Sequence, residues 1–282
     1  MEDIKYLCRH FIDLQKIRIA LHHRIRKLEE RGYAGSVYST LAEYYKKFKK
    51  EERNVVKEAK QIIVGSSLFD YCMRVRGLGI KTAMEFLGYI DIIKADTDGK
   101  ARAYCGLVPK DVIEQQLKNK YNREFKGKAY FMAKSVIMHK DEYYYPLWQA
   151  KKEYYLKVRG FEKFAKSPEL CPRYEECMEK LKAKAKRLGR KPKKPACRKH
   201  ANEMATLWLA SLLISHMLEI CRREKNLPYK RHTLHIPPKP EDSKTQKRIV
   251  KVATHFIKKG LVPNLDLGNE NDLKRAELMI AM

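Results

Sequence analysis

Acid is scarce in this chain. Its 282 residues hold 34 Asp and Glu against 61 Lys and Arg, a formal net charge of +27. Solubility alone does not require such an excess, so the shortage of acid points to a polyanionic partner. Long apolar runs are also missing. The opening residues, MEDIKYLCRHFIDLQ, lack the hydrophobic stretch of a signal peptide. Thr206 to Cys221, the most apolar stretch, falls short of the roughly 20 residues that span a bilayer. It also carries Ser211, Ser215, His216 and Glu219, so it is expected to be a buried core helix, and no membrane partner is expected. Low-complexity tracts and long repeats are absent. With 44% hydrophobic residues, the chain is expected to fold around a core and not to behave as a basic tail. The seven cysteines are odd in number and no export signal precedes them. Reduced thiols or metal ligands are therefore the default, and a cytoplasmic location is expected.

The chain reads as all-α. Ile4, Leu7, Phe11, Leu14, Leu21, Ile25 and Leu28 recur in three- and four-residue steps, broken only by Arg18, as in a coiled-coil seam. After the turn RGYAGS at 31–36, Leu41, Tyr45, Phe48, Val55, Ala59 and Ile62 continue the pattern, with Glu52 as its break. Residues 1–64 are thus expected to form a coiled-coil-like helical hairpin. It would pack on the rest of the chain or serve as the arm of a homodimer. A helical domain follows over 65–230, with a distinct insertion at 167–200, then a C-terminal extension over 231–282 that opens on the proline-rich RHTLHIPPKPEDS. Within that extension a helix is expected from a Ser243 cap through Lys259, with Gly260 as its stop. From Asp272 a short helix is the most that is expected.

Three stretches carry features of nucleic-acid binding. In RVRGLGIKTAMEFLGYI (74–90), Gly77-Leu78-Gly79 separates two short helical segments in the manner of a helix-hairpin-helix. There the glycines allow a tight turn and the amides opening the second helix can approach a phosphate, with Lys81 and Thr82 beside them. From Lys118 to Lys140 cations alternate with aromatics, and Lys110, Lys120, Arg123, Lys126 and Lys128 are candidate phosphate contacts. Tyr130, Phe131, Met132, Val136 and Ile137 suit the buried face of a helix instead. The third stretch, Lys180 to Lys194, is crowded with cations, among them Lys184, Arg187 and Lys191, with little acid nearby.

The same insertion contains Cys171-x5-Cys177 and, after nineteen intervening residues, Cys197-x2-His200. Two local pairs of soft or borderline ligands joined by a longer loop suit one tetrahedral structural zinc ion, with no open catalytic position. The alternative is unligated thiols. Cys8, Cys72, Cys105 and Cys221 each stand among apolar residues and are expected to be core thiols. His232 and His235 read as surface histidines.

RVRGLGIKTAMEFLGYIDIIKADTDGKARAYCGLVPK, Arg74 to Lys110, resembles the C-terminal domain of the insertion sequence one-ten, one-sixteen and nine-oh-two transposases. The resemblance is carried by Gly77-Leu78-Gly79 with Thr82-Ala83, by Gly88 to Asp91, and above all by Ala103-Tyr104-Cys105-Gly106-Leu107-Val108-Pro109. NREFKGKAYFMAKSVIM (122–138) and the helix near Met204 to Arg222 extend it over roughly residues 68 to 230. The resemblance implies a DNA-recombining ancestor that pairs a four-carboxylate, metal-binding nuclease domain with a nucleophilic serine, and a coiled-coil connector like the N-terminal hairpin. The chain departs from that pattern. Where the Ser-Gly is due it has Asp111-Val112-Ile113-Glu114-Gln115, and no Ser or Thr stands between Lys110 and Lys134. Tyr121 is the nearest hydroxyl. Residues 1–64, filled by the hairpin, leave no room for strands presenting the acids of a two-metal nuclease.

The expectation is therefore a nucleoid-associated, transposase-like DNA-binding protein of a prokaryotic cell, without catalytic residues of its own. Two rivals are an active recombinase, with an unusual nucleophile or a partner nuclease subunit, and a binder of structured RNA.

Overall fold

The computed structural model describes residues 2–108, 121–172, 174–192, 197–229, 243–261, 265, 267 and 269–281. Among them all regular structure is helical, with no strand beyond an isolated bridge between Arg76 and Leu78. Two compact units emerge, Met1–Ala101 with Met217–Tyr229, and Arg102–His216 with Lys230–Met282. The chain crosses between them after Ala101, His216 and Tyr229, because one long helix returns to the first unit to complete its core.

In the first unit, α1 (Glu2–Glu30) and α2 (Ser36–Ile63) lie antiparallel, joined by a turn in which Tyr33 N–H donates to Leu28 O at 3.0 Å. Ile4, Cys8, Phe11, Leu14, Leu21 and Ile25 of α1 are buried, with Val55, Ala59 and Ile63 of α2. Ile63, and not Ile62, turns inward; Ile62 is exposed. The two seam breaks face each other. Arg18 Nε donates to Glu52 Oε1 at 2.5 Å, with both side chains largely covered. A charge on one helix is tolerated in the seam because the other helix supplies its counter-charge.

Two short helices follow, α3 (Ser67–Arg74) and α4 (Ile80–Tyr89). Ser66 Oγ caps α3 by accepting from Phe69 N–H at 3.2 Å, a contact type that contributes about 1 kcal/mol. α4 packs closely on α1, where Gly88 admits the backbone of α4 beside Cys8. The end of α10 (Cys197–Glu224) completes this unit. Arg222 Nη1 donates to Ile92 O at 2.7 Å and to Ala95 O at 3.1 Å, and its Nε to Pro228 O at 2.7 Å. One guanidinium thus gathers two stretches of irregular backbone whose carbonyls have no helical partner. The chain leaves the unit through α5 (Asp98–Tyr104).

The second unit is built on α6 (Arg123–Met138), α7 (Tyr144–Lys157), the first part of α10, and α11 (Ser243–Lys259). Phe125, Ala129, Met132, Ala133 and Val136 recur at helical spacing and form the buried stripe of α6. Tyr143, Tyr144 and Leu147 meet a core that also holds Leu209, Leu213 and Ile214 of α10; each such side chain gains roughly 1.5–3 kcal/mol by burial. The Tyr144 hydroxyl and His216 Nδ1, both fully buried, share a hydrogen bond of 2.7 Å. α11 packs on α7, with Glu153 held between Lys157 at 2.7 Å and Lys258 at 2.9 Å. Gly260 ends α11 with φ +75°, and a Cβ there would collide with the Tyr154 ring. α12 (Glu270–Ala281) lies on α11. Between α7 and α10 stand α8 (Phe161–Lys166), a 3-10 turn (Pro168–Leu170) and α9 (Tyr174–Arg187).

α10 runs 28 residues, beginning well before the apolar stretch read from the sequence. Among the described residues it is the one helix long and apolar enough to cross a bilayer, but 83% of its apolar window is buried inside the protein.

Candidate nucleic-acid interface

A cleft of about 440 Å³ opens beside the start of α10, lined by Lys152 and Leu156 of α7, Glu162 of α8, and Arg198, Lys199 and Asn202 of α10. Three cations meet there around one carboxylate, with Arg198 Nη2 3.7 Å from Glu162 Oε1 and Lys199 turned toward Glu203 at 3.9 Å. Both pairs are solvent-exposed, so they neutralise little. The placement is unfavourable for the helix itself. The first turn of α10 holds Arg198 and Lys199 and no acid, although the amides of a helix N-terminus already carry partial positive charge. Cations at that end cost stability that an anionic ligand would restore.

Aromatic groups flank the cations. Lys152 Nζ stands 5.2 Å from the Trp148 ring centroid, while Lys151 is half-buried among Tyr154 at 4.3 Å, Tyr155 at 5.3 Å and Trp208 at 5.7 Å. Burial holds the Lys151 ammonium below the usual lysine range, and nearby Arg159 lowers it further. On α6, Asn122 caps the helix by accepting from Phe125 N–H at 2.9 Å and reaches Tyr104 Oη at 3.1 Å. This fixes the start of the helix, where Arg123 and Lys126 of the first turn are exposed and half-exposed and Lys128 of the second is half-exposed. Lys126 lies over the Tyr121 ring at 5.2 Å, and that ring packs on Gly106, whose φ of +61° and lack of a Cβ permit the contact. Phe131, expected inside, is 66% exposed and stands between Lys128 and Lys134 on the helix surface. Tyr130 and Ile137 are only half-covered, whereas Met132 and Val136 are buried as expected.

The remaining sequence-selected groups are dispersed. Gly77 (φ +95°) makes the turn between α3 and α4, and Leu78 N–H donates to Val75 O at 3.1 Å. Gly79 is extended, a conformation open to any residue. Lys81 is partly exposed, 3.9 Å from Glu85 and 4.8 Å from the Phe11 ring centroid, while Thr82 is buried. Lys184, Arg187 and Lys191 are exposed. α9 carries Glu175 and Glu176 in its first turn and Lys184, Lys186 and Arg187 in its last, the order that helix electrostatics favour. Lys110, Lys120, Asp111 to Gln115, Lys193, Lys194, His232 and His235 lie outside the described residues.

Three of the four selected metal ligands come together. Cys197, the first residue of α10, shares a side-chain hydrogen bond with Cys171 and feels Cys177 through space. Burial, followed by these two neighbours, pushes the Cys197 thiol up. His200 stands one turn along α10, its ring edge-on to Phe161 at 5.4 Å. Among the described residues no three donors stand at ligating positions as they are.

Sequence reasoning passes over Lys152, Arg198 and Lys199. The signal that could have found them is the Arg-Lys pair inside Cys-Arg-Lys-His, two cations opening a helix without an acid. Comparisons of the chain with protein-family models, with curated proteins and with solved structures returned no match.

Proposed function

We propose that this protein binds DNA through backbone contacts centred on the cleft of Lys152, Arg198 and Lys199. It would be a transposase-like protein that holds a mobile element's DNA and performs no strand cleavage of its own. The observation that carries the reading is the cationic first turn of α10, mis-sorted for its own helix and facing an open cleft. The excess of +27 supplies long-range attraction, and Arg123, Lys126 and Lys128 extend the phosphate contacts. The glycine turn between α3 and α4, with Lys81, serves as a second backbone contact of the helix-hairpin-helix kind. A homodimer joined through α1 and α2 as a coiled-coil-like arm belongs to the same proposal, supported by Leu41, Tyr45 and Phe48, which remain half-exposed along α2.

Salt-dependent binding to duplex DNA tests it. Replacing Lys152, Arg198 and Lys199 together by Ala should weaken binding and flatten the salt dependence by about 0.9 in log–log slope for each phosphate that is no longer neutralised. Unchanged affinity and slope would refute the cleft as the site. A second reading, structured RNA, is favoured by exposed Phe131, since an unpaired base can stack on it. Competition between the two nucleic acids decides between them. A covalent adduct abolished by Tyr121→Phe would instead reveal an active recombinase.

A further inference from the structure

We propose that Cys171, Cys177, Cys197 and His200 bind a single zinc ion that staples the segment between α7 and α10. The first support is position. The thiols come from three separate places, the residue after the 3-10 turn, the first turn of α9 and the first residue of α10, yet Cys171 and Cys197 are in hydrogen-bond contact with Cys177 nearby. Residues 26 positions apart in the chain do not meet by local folding alone.

The second support is the thinness of the segment's core, since its ring contacts, Tyr155 with Phe161 and Phe161 with Phe164 and His200, are none of them fully buried. From Lys151 to Pro192, Ala185 is the only buried residue among those described. A stretch of that length with so thin a core falls in the class of small modules held by disulfides or metals. A third lies in charge. Zinc binding releases three thiol protons to solvent and leaves three thiolates and one neutral imidazole around Zn²⁺, a net charge of −1. That charge would sit at the N-terminus of α10, beside Arg198 and Lys199, where helix and cations alike favour it. Cys197 and His200, three residues apart, share a face of α10, and the His200 ring must turn from Phe161 to complete the set.

Arg198 and Lys199 belong both to this site and to the proposed DNA cleft, but metal content is read without nucleic acid, so failure of this inference and failure of that reading are distinguishable. The full chain, purified under reducing conditions without added metal, would be assayed for zinc by mass spectrometry. It would also be exchanged with Co²⁺ to look for the visible absorption of a tetrahedral thiolate site. Expected are one zinc per chain and a cobalt spectrum, both abolished in Cys171→Ser and Cys197→Ser and retained in His139→Ala. His200→Ala should weaken metal retention against a chelator at least tenfold. If Cys197→Ser does not fold, Cys171→Ser and chelation of the wild-type chain give the answer, since chelation should lower the melting temperature. No zinc and no cobalt spectrum in the folded wild-type chain would overturn the proposal. So would metal retained in both serine variants, or a Cys171–Cys197 disulfide in a metal-free chain.

Discussion

A Cβ at Gly88 would collide with Cys8 Cβ and stand 2.5 Å from its sulfur, inside the contact of α4 with α1. Gly88→Ala should therefore destabilise the protein by about 1–3 kcal/mol in urea denaturation. Cys8→Ala should not rescue it, because the collision is already with the Cβ. Tyr144→Phe removes the 2.7 Å hydrogen bond to buried His216 and should cost about 1–3 kcal/mol by the same measurement. A loss below a few tenths of a kcal/mol would show that His216 is satisfied elsewhere. At this scale the sequence is legible where only polarity matters. Cys8, Cys72, Cys105 and Cys221 are all buried as their apolar neighbours imply, and burial pushes the Cys221 thiol up to about 12. Pairings between distant residues are not legible. Arg18 and Glu52 each read as a flaw in its own helix, and only the antiparallel packing makes them partners.

Helix periodicity and end signals are the most legible features of the elements. α1 buries most of its seam, α2 keeps only Val55 and Ala59 of its own fully buried, and α11 spans Ser243–Lys259 with Gly260 as its stop. The sequence understates α10 because its polar first turns resemble loop in composition, and those turns carry the cationic cleft. α7 leaves no clear signal, since its apolar and charged groups surround the helix without a clean stripe. α12, expected to be short at best, is secured by Arg248. That guanidinium donates from Nε and Nη2 to Glu277, at 2.9 and 2.8 Å, and from Nη1 to Glu270 at 2.8 Å. The hydrogen bonds from Arg248 hold the Glu277 carboxyl below the ordinary carboxylate range. A depressed folded-state pKa stabilises above the unfolded value and ceases to do so as pH falls through the folded one. Proteolytic release of α12 should therefore quicken as the pH is lowered through and below the ordinary carboxylate range. Arg248→Ala should quicken release at neutral pH and remove most of that pH dependence. High salt should weaken the clamp too, because these groups are exposed.

For the whole molecule, the +27 charge acts on stability and binding with opposite signs. Self-repulsion in the compact state is relieved by screening, whereas counterion release on DNA is opposed by added salt. Raising ionic strength should thus raise the melting temperature while weakening DNA binding, and a polyanion should raise the melting temperature at low salt. A melting temperature that falls with salt would mean that local ion pairs, not net repulsion, govern stability. The excess itself can be counted from composition, but its concentration around Lys152, Arg198 and Lys199 cannot, because those cations are about 46 residues apart in sequence. Both tryptophans of the chain, Trp148 and Trp208, belong to the second unit, and each has a lysine near its ring. Indole emission is therefore blind to the first unit, whose melting would register only in far-ultraviolet dichroism; two midpoints that differ would mark two separately cooperative units. The same emission is a built-in optical reporter for the cleft, and it should change when a phosphate draws Lys152 away from Trp148.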